Sequence, residues 1–269
     1  MVTFSKEDII TTDKYLDLSS NRIVYLKTDL IYKGLESMIW RGKLHKIQKG
    51  DVWITGHSAY CIDSKLFNKY SSNCTYWFAT NKNFKHDNFF AVPVGITNNT
   101  TETGLHPIYG NIDIMIETMN MPRNIKNLVY MNFNIRTYPQ ERQECYDMFK
   151  DKDWVTKGVI DNTINGRRRF LMDLRNHKFV LCPRGMGIDT HRLWETLYMG
   201  SIPVVLKTLA LEEFSDLPIL FVDSWNDINE NMLEKKYNEM GSRDWNMDKL
   251  KIDYWRQKIT DASLKCSAV

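Results

Sequence analysis

Short hydrophobic runs and amphipathic stretches alternate along most of this chain. The hydrophobic runs are rich in β-branched and aromatic residues, as in buried strands, and they cover residues 22–26, 51–55, 75–79, 89–96, 128–133, 177–182, 201–206 and 218–222. Apolar positions at helical spacing predict helices at residues 31–47, 140–150, 162–176, 190–199, 225–240 and 245–264. Strands that alternate with helices in this way predict an α/β fold with parallel sheets.

The alternation comes in two sets, which are separated by a short polar segment with a proline at residues 121–124. Segments of this composition commonly lie between domains. We therefore predict two Rossmann-like domains, at residues 1–122 and 123–249, that face each other across a cleft. The last helix, within residues 250–269, is expected to pack near the hinge.

Residues 179–223 contain the strongest chemical signal of the sequence. A buried strand ends near Cys182, a glycine-rich turn follows, and a helix is expected to start after Asp189 or Thr190 and to end at Gly200. In open α/β sheets, ligands bind at the carboxyl ends of strands, and the free amides at a helix start suit a phosphate or diphosphate. This unit is therefore the predicted ligand site.

The predicted helix has two different faces. His191, Arg192 and Glu195 lie on one side, whereas the apolar side chains lie on the other and are expected to pack. Because a carboxylate repels an anion, Glu195 is expected to accept hydrogen bonds from hydroxyl groups such as those of a ribose. The residues expected to hold the diphosphate are Arg184, Gly185, Gly187, Thr190, His191 and Arg192, and Asp189 is also expected to belong to the substrate-binding site.

These residues resemble a known family. The run CPRG followed by DTHRxWExLxxGxIPVV is similar to the C-terminal nucleotide-sugar half of exostosin-like glycosyltransferases, which include viral and bacterial members. The resemblance is dense over residues 177–223 and is limited to scattered blocks elsewhere. It implies the GT-B fold, with residues 1–122 on the acceptor side and residues 123–249 binding the nucleotide sugar.

The resemblance also implies a reaction. Members of this family transfer a sugar from a UDP-sugar to a glycan hydroxyl with inversion, and UDP-xylose is our working donor. No metal or other cofactor is needed in that scheme, because protein cations stabilise the departing diphosphate.

The acceptor hydroxyl needs a general base, and the N-terminal half is expected to supply it. A strand that ends in Gly56, His57 and Ser58 resembles a turn of the family's acceptor half. Relatives often continue with an acidic residue where this chain has Ala59, so the role of that carboxylate would move to His57, Asp63 or another group. His57 is our first choice for the base. The loop at residues 97–110, which contains His106, is either an active-site loop or an ordinary surface connection.

Several arginines precede the glycine-rich turn. The segment NFNIRTYPQER resembles the first strand and loop of the family's nucleotide domain, and from it we expect Arg136 to bind the donor and Arg142 to be solvated. Arg167, Arg168 and Arg169 are expected on the solvent face of a helix, since a run of charges is usually exposed.

Composition excludes several classes of protein. The formal net charge is +3, from 36 basic and 33 acidic residues, which is too balanced to indicate a nucleic-acid or anionic-membrane partner. No run approaches the roughly 20 apolar residues of a membrane helix, and the N-terminal residues lack the features of a signal peptide. We therefore expect a soluble cytoplasmic protein without a transmembrane segment. Five cysteines without a CxxC pair indicate neither a zinc site nor a disulfide framework.

The patterns GxGxxG, GxxxxGK and GxSxG are absent, which disfavours dinucleotide oxidoreductases, P-loop NTPases and hydrolases with a nucleophile elbow. Two alternatives to a UDP-sugar transferase remain. One is a fucosyltransferase-type enzyme that uses GDP-fucose, since that group also has a Glu before a Gly-x-I-P-V strand. The other is a non-catalytic protein that binds a nucleotide sugar or a glycan, which the presence of Ala59 suggests.

Overall fold

The computed structural model describes residues 3–40, 42–100 and 104–267. In these residues the chain forms a four-stranded sheet, a five-stranded sheet and a two-stranded hairpin. The strands are β1 Ile23–Lys27, β2 Ser37–Trp40, β3 Lys43–Lys46, β4 Val52–Gly56, β5 Tyr76–Ala79, β6 Phe89–Ala91, β7 Asn127–Met131, β8 Val155–Lys157, β9 His177–Leu181, β10 Ile202–Leu206 and β11 Leu220–Val222. The α-helices are α1 Thr28–Tyr32, α2 Ser64–Tyr70, α3 His106–Tyr109, α4 Ile112–Asn120, α5 Pro139–Phe149, α6 Ile164–Asn176, α7 His191–Tyr198, α8 Glu230–Gly241 and α9 Ile252–Lys265.

The first sheet has the order β1-β4-β5-β6, and all of its pairings are parallel. Every residue of β4 is buried, because helices and loops cover both faces of this central strand. The second sheet has the order β11-β10-β9-β7-β8 and is also parallel throughout. The prediction of two parallel α/β sheets is therefore confirmed.

One predicted helix, at residues 31–47, is wrong. Helix α1 ends at Tyr32, and the chain then forms the antiparallel hairpin β2–β3. Gly34 and Gly42 have φ angles of +66° and +70°, a left-handed backbone conformation that no α-helix contains. The apolar residues at helical spacing instead face each other across the hairpin, as Ile39 and Leu44 do.

The predicted division near residue 122 falls between α4 and β7, and it separates the two sheets. Even so, a continuous cluster of buried apolar side chains extends from the first sheet through α7 to α9. Helix α9 packs against β4 and β5 of the first sheet, and Trp255 and Ile259 on this helix are fully buried. The two halves are thus packed together as well as connected.

Hydrogen bonds and an ion pair also connect the two halves at the base of the cleft. The backbone N–H of Val94, beyond β6, donates to Asp189 Oδ2 at 2.7 Å, and the N–H of Asp189 donates to Asn81 Oδ1 at 2.8 Å. Lys82, beyond β5, forms an ion pair with Glu213. The predicted GT-B arrangement, with two parallel sheets facing across a cleft, is confirmed. In the described part of the chain, no helix is long and apolar enough to cross a membrane.

Candidate active site

A cavity of about 780 Å³ lies between the two sheets. One wall is formed by residues that follow β4, β5 and β6, and the other by α6, α7 and the segments after β7 and β9. Both walls therefore come from the carboxyl ends of parallel strands, where α/β folds place their ligands. The volume is within the range of pockets that enclose a small molecule.

The glycine-rich turn after β9 lies at the floor of this cleft. The Gly185 N–H donates to Gly187 O at 3.1 Å, which closes the turn. A Cβ on Gly185 would lie 3.3 Å from Arg142 Nη2, and one on Gly187 would lie 3.0 Å from Asn81 Nδ2. Both glycines therefore allow polar side chains to approach the backbone of the turn closely.

Arg142 lines the cleft, and the prediction that it is solvated is wrong. Its Nε donates to Arg184 O and its Nη1 to Asn134 O, both at 2.8 Å, and the residue is only 5% exposed. Because α5 starts at Pro139, Arg142 lies in its first turn and faces inward. Burial, with a smaller effect of the nearby Arg192, lowers the Arg142 pKa to about 10, so the guanidinium stays charged at neutral pH.

Two predicted donor-binding arginines lie elsewhere. Arg136 is exposed in a 3₁₀ turn and does not line the cleft. The Arg184 guanidinium donates to Gly185 O at 3.3 Å and to Met186 O at 3.0 Å, and it lies 4.5 Å from the centre of the Tyr138 ring. Arg184 therefore holds the shape of the turn, and the structure does not bring it into the cleft.

Arg192 lines the cleft at the start of α7, as the sequence predicts. Its Nε is buried and has no hydrogen-bond acceptor among the described residues. The adjacent Thr190 is the N-cap residue of α7 and also lines the cleft, although its side chain makes no capping hydrogen bond. These donors are positioned to bind a ligand anion at a helix start.

The ring of His191 has a fixed tautomer. Its Nδ1 lies 2.8 Å from Gly95 O, and a carbonyl oxygen can only accept, so Nδ1 carries the proton. Burial lowers the pKa of His191, which favours the neutral ring with Nε2 as an acceptor. A neutral His191 therefore suits a hydroxyl group, whereas we had predicted a donor to the diphosphate.

Asp189 lines the cleft, but its carboxylate is already occupied. Oδ2 accepts from the Val94 N–H at 2.7 Å and Oδ1 from Trp194 Nε1 at 2.6 Å. Burial raises the pKa of Asp189 to about 7, because the charged form of the carboxylate loses its hydration. The sequence predicted a binding residue, whereas in the structure its carboxylate joins the two halves.

Glu195 reaches the cleft from α7, and it is paired with a residue that we had not assigned to the site. Its Oε1 lies 2.7 Å from Nη1 of Arg167, and the Arg167 side chain is fully buried. The prediction that all three arginines of residues 167–169 are exposed is therefore wrong for Arg167. The error arises because α6 packs against α4 on one side and α7 on another, which the sequence run does not indicate.

His57 lines the opposite wall, and its hydrogen bonds restrict its chemistry. Asn98 Oδ1 accepts from the Asp13 backbone N–H at 3.3 Å, so the amide orientation is fixed and Nδ2 faces His57 Nδ1 at 2.7 Å. His57 Nδ1 therefore accepts a hydrogen bond, and the ring proton lies on Nε2. In this tautomer His57 is a hydrogen-bond donor through Nε2, which does not suit the general base that we assigned to it.

His106 lines the same wall and belongs to the loop at residues 97–110, of which residues 101–103 lie outside the described residues. Its Nδ1 lies 2.7 Å from Thr100 Oγ1. A hydroxyl can accept as well as donate, so this contact allows the proton on Nδ1 and a lone pair on Nε2. Among the described residues, no three His, Cys, Asp or Glu side chains converge in the manner of metal ligands.

Comparison with known proteins finds similar solved structures and a matching family model. A crystal structure of alpha1,3-fucosyltransferase with GDP is 10% identical, with a TM-score of 0.42, over 85% of this chain and 86% of that chain. Another, of alpha1,3-fucosyltransferase with GDP-fucose, is 12% identical, with a TM-score of 0.38, over 93% and 85% of the two chains. The family model described as the RXYLT1 C-terminal domain matches residues 124–262, just over half of the chain. The matched segment includes α6, α7 and the glycine-rich turn.

Proposed function

Because the chain belongs to the RXYLT1 C-terminal domain family and is a glycosyltransferase, we propose that it transfers a sugar from a UDP-sugar to a glycan hydroxyl. UDP-xylose is the donor we propose first. The family membership confirms the resemblance to exostosin-like glycosyltransferases. The observation that carries the proposal is the pair of guanidinium groups, Arg142 and Arg192, beside a glycine turn at the start of α7.

The donor diphosphate would lie at this cationic end of the cleft. Breaking the bond between the sugar and the diphosphate leaves negative charge on the departing oxygen, and fixed donors lower the barrier by stabilising that charge. Arg142 has two of its nitrogens held by backbone carbonyls, so its position is set before the ligand binds. The Gly187 amide and the helix dipole of α7 add to the same field, whereas the Gly185 N–H donates to Gly187 O within the turn.

The proposed displacement is a single step with inversion at the sugar carbon. The acceptor oxygen forms the new bond as the diphosphate leaves, and a base takes the proton of the acceptor hydroxyl. We assign this base to His106 in place of His57, since its contact with Thr100 is compatible with an unprotonated Nε2. His57 would then donate a hydrogen bond to a substrate oxygen from Nε2.

The donor is tested first, because it can be identified before the acceptor is known. The purified chain is assayed for slow hydrolysis of UDP-xylose, UDP-glucuronic acid, UDP-N-acetylglucosamine, UDP-galactose and UDP-arabinose, with Arg192→Met as the negative control. Saturation-transfer NMR with UDP and GDP measures nucleotide binding independently of turnover. We expect UDP to bind and one UDP-sugar to be cleaved.

Two outcomes would contradict the proposal. Tight binding of GDP with none of UDP would indicate a donor of the GDP-fucose type. Binding of UDP-sugars without cleavage, and without transfer to any glycan in an acceptor panel, would indicate a non-catalytic binding protein.

A further inference from the structure

Exposed apolar side chains are grouped outside the cleft, on and beside the hairpin β2–β3. Ile39 is 75% exposed and Leu44 is 59% exposed. The two residues are paired across the strands, so their side chains lie next to each other on one face of the hairpin. Just before β2, Tyr32 and Leu35 are also exposed. Large apolar side chains grouped in this way on a surface mark a site of interaction.

The other face of the hairpin is buried against the first sheet. The Trp40 ring stacks on Tyr25 of β1 with 5.9 Å between the ring centres, and both Trp40 and His45 are buried. The Trp40 ring also lies 4.6 Å from the ring of His57, which lines the cleft. Packing on this face therefore fixes the hairpin, whereas Ile39 points away from it into solvent.

Positive charge surrounds the apolar pair. Residues 32–49 contain five basic residues and one acidic residue, an excess larger than the net charge of +3 of the whole chain. By strand alternation Lys46 lies on the same face as Leu44, and Lys43 is exposed beside the hairpin turn. Neither lysine forms an ion pair with another described residue. The balanced charge of the whole chain therefore conceals a local cationic surface.

Further lysines lie where the chain enters β2. They line a groove of about 360 Å³ that also includes Gly34, and they are Lys33, Lys65 and Lys69. Lys33 pairs with Asp29 at 3.2 Å, whereas the other two have no acidic partner in the described part of the chain. Asp63, a carboxylate of this groove, accepts from the Leu66 N–H at 2.8 Å as the N-cap of α2. The groove therefore extends the cationic surface next to the hairpin.

Exposed aliphatic side chains beside lysines without acidic partners fit the surface of an anionic bilayer. The aliphatic groups insert at the boundary between headgroups and acyl chains, while the lysines contact the anionic headgroups. A second copy of this chain would instead place like charges opposite each other. The phosphate backbone of a nucleic acid has no apolar surface for Ile39 and Leu44.

We propose that the outer face of the hairpin β2–β3 docks the protein on an anionic membrane surface. Ile39 and Leu44 insert, and Lys43 and Lys46 bind the headgroups, so the chain lies on the membrane without spanning it. Because Trp40 connects the hairpin to the wall that contains His57, docking holds this wall beside the bilayer, close to glycan acceptors carried by lipids or membrane proteins. The inference goes beyond the proposed function and does not depend on it, since docking requires no nucleotide.

The test measures the partition of the purified chain onto vesicles by flotation. Vesicles of phosphatidylcholine alone are compared with vesicles of an equal mixture of phosphatidylcholine and phosphatidylserine. We expect the partition coefficient to be roughly tenfold or more higher on the anionic vesicles, since each lysine near an anionic surface contributes about fivefold. Added salt should reduce this difference by screening the charges.

Two paired variants separate the apolar and the cationic contributions. Ile39→Thr with Leu44→Thr removes the inserted groups and keeps residue types that suit a strand. Lys43→Gln with Lys46→Gln removes charge only. Each pair should lower the partition coefficient on anionic vesicles by roughly tenfold. Because all four side chains are exposed, the unfolding midpoint should change little in either variant.

The matched controls change residues of the same types elsewhere on the surface. Leu264, on α9, is 58% exposed, and Lys126 and Lys152 are exposed lysines outside the hairpin. Leu264→Thr, and the pair Lys126→Gln with Lys152→Gln, should bind the anionic vesicles as tightly as the unmodified chain does.

Equal binding of the unmodified chain to both kinds of vesicle would overturn the inference, as would full binding by both hairpin variants. Losses of the same size in the controls would also overturn it. Sedimentation velocity without vesicles tests the other partners of the patch. A dimer that Ile39→Thr with Leu44→Thr dissociates would show that the patch joins copies of this chain, and binding of single-stranded RNA without binding of vesicles would assign the lysines to a nucleic acid.

Discussion

The two walls of the cleft differ in charge. The wall formed by α5, α6 and α7 includes Arg142, Arg167 and Arg192, and Arg167 pairs with the Glu195 carboxylate. The wall of the first sheet instead presents the rings of His57 and His106 together with amide and hydroxyl groups, beside a single cation among the described residues, Lys27, at the end of β1. The first wall is suited to hold an anionic ligand, and the second to move or share protons with a neutral one.

The two walls also differ in the contacts that hold their side chains in place. Arg142 is fixed by two backbone carbonyls, and Arg167 lies between aromatic rings, so the cations cannot move far to meet a ligand. The histidine rings are oriented by side-chain contacts at Nδ1, with Thr12 and Asn98 for His57 and with Thr100 for His106. Fixed guanidinium groups on one wall and oriented imidazole rings on the other agree with a donor site facing an acceptor site.

The largest effect is expected on the cationic wall. Arg192→Met should lower kcat/KM for UDP-sugar cleavage by about 10²–10³-fold, because it removes a buried donor to the leaving diphosphate. Arg184→Met is the matched control, since the Arg184 guanidinium binds the turn outside the cleft. We expect Arg184→Met to change kcat/KM by less than about tenfold. Equal losses in the two variants would show that Arg192 is not a specific donor to the leaving diphosphate.

On the wall with His57 and His106, the two histidines are expected to contribute differently to the reaction. His106→Asn should lower kcat of the transfer reaction by about 10²-fold while donor affinity stays the same, since a general base contributes only to the chemical step. His57→Asn should have the smaller effect, because an amide can replace its hydrogen bond. The measurement is steady-state kinetics of transfer beside calorimetry of donor binding. If His57→Asn lowered kcat more than His106→Asn does, the general base would be assigned to His57.

The contact that joins the two walls depends on pH. The pKa of Asp189 is about 7 in the folded protein, against 3.8 for a free Asp, so the folded state holds a proton that the unfolded chain has released between these values. The free energy of unfolding should therefore fall as pH rises through this window, by at most about 1.4 kcal/mol per pH unit from this group. Asp189→Asn lacks this titration.

Urea unfolding at pH 5, 6, 7 and 8 measures the effect. The unmodified chain should have a larger free energy of unfolding than Asp189→Asn, and this difference should shrink with rising pH. Titration of the histidines affects both proteins equally and therefore cancels in the difference. At pH 5 we expect Asp189→Asn to be less stable by about 1–3 kcal/mol, since its Nδ2 meets an N–H donor where the carboxyl group accepted one. A constant difference across the series would contradict the raised pKa.

The smallest effect is expected outside the cleft. Arg168→Ala removes an exposed ion pair with Glu117 and should change the free energy of unfolding by less than about 1 kcal/mol. Nucleotide affinity should not change. Measured beside Arg167→Met, this variant shows whether neighbouring arginines of one helix have separate roles.

The sequence predicted the parts of this molecule that depend on local pattern. The strand, turn and helix around residues 179–223 carry strong periodicity and clear end signals, and Gly200 closes α7 with a φ of +80°. The hairpin at β2–β3 was missed because its apolar spacing also fits a helix, and packing of Trp40 against Tyr25 is a long-range contact. Strand β8 was missed because three residues, two of them exposed, give no pattern.

The arginines show the limit of such reasoning within the site. Charge and spacing identified Arg192 and Glu195, whose positions follow from one helix. Arg142 and Arg167 face inward because other elements pack around α5 and α6, and no local signal distinguishes them from Arg136 and Arg168. Likewise, the tautomers of His57 and His191 depend on partners more than 40 residues away in the chain. The sequence identifies charged residues as candidates, but tertiary packing determines which of their side chains are buried.

The bond from His191 to Gly95 spans the two halves of the protein, and this makes the ring a reporter of their separation. While the halves stay together, the carbonyl holds the proton on Nδ1 and the ring is a fixed acceptor. If the halves part, that preference disappears and the proton can exchange between the two nitrogens. The ¹⁵N chemical shifts of a single imidazole would therefore record the opening of the cleft, without any label attached to the surface.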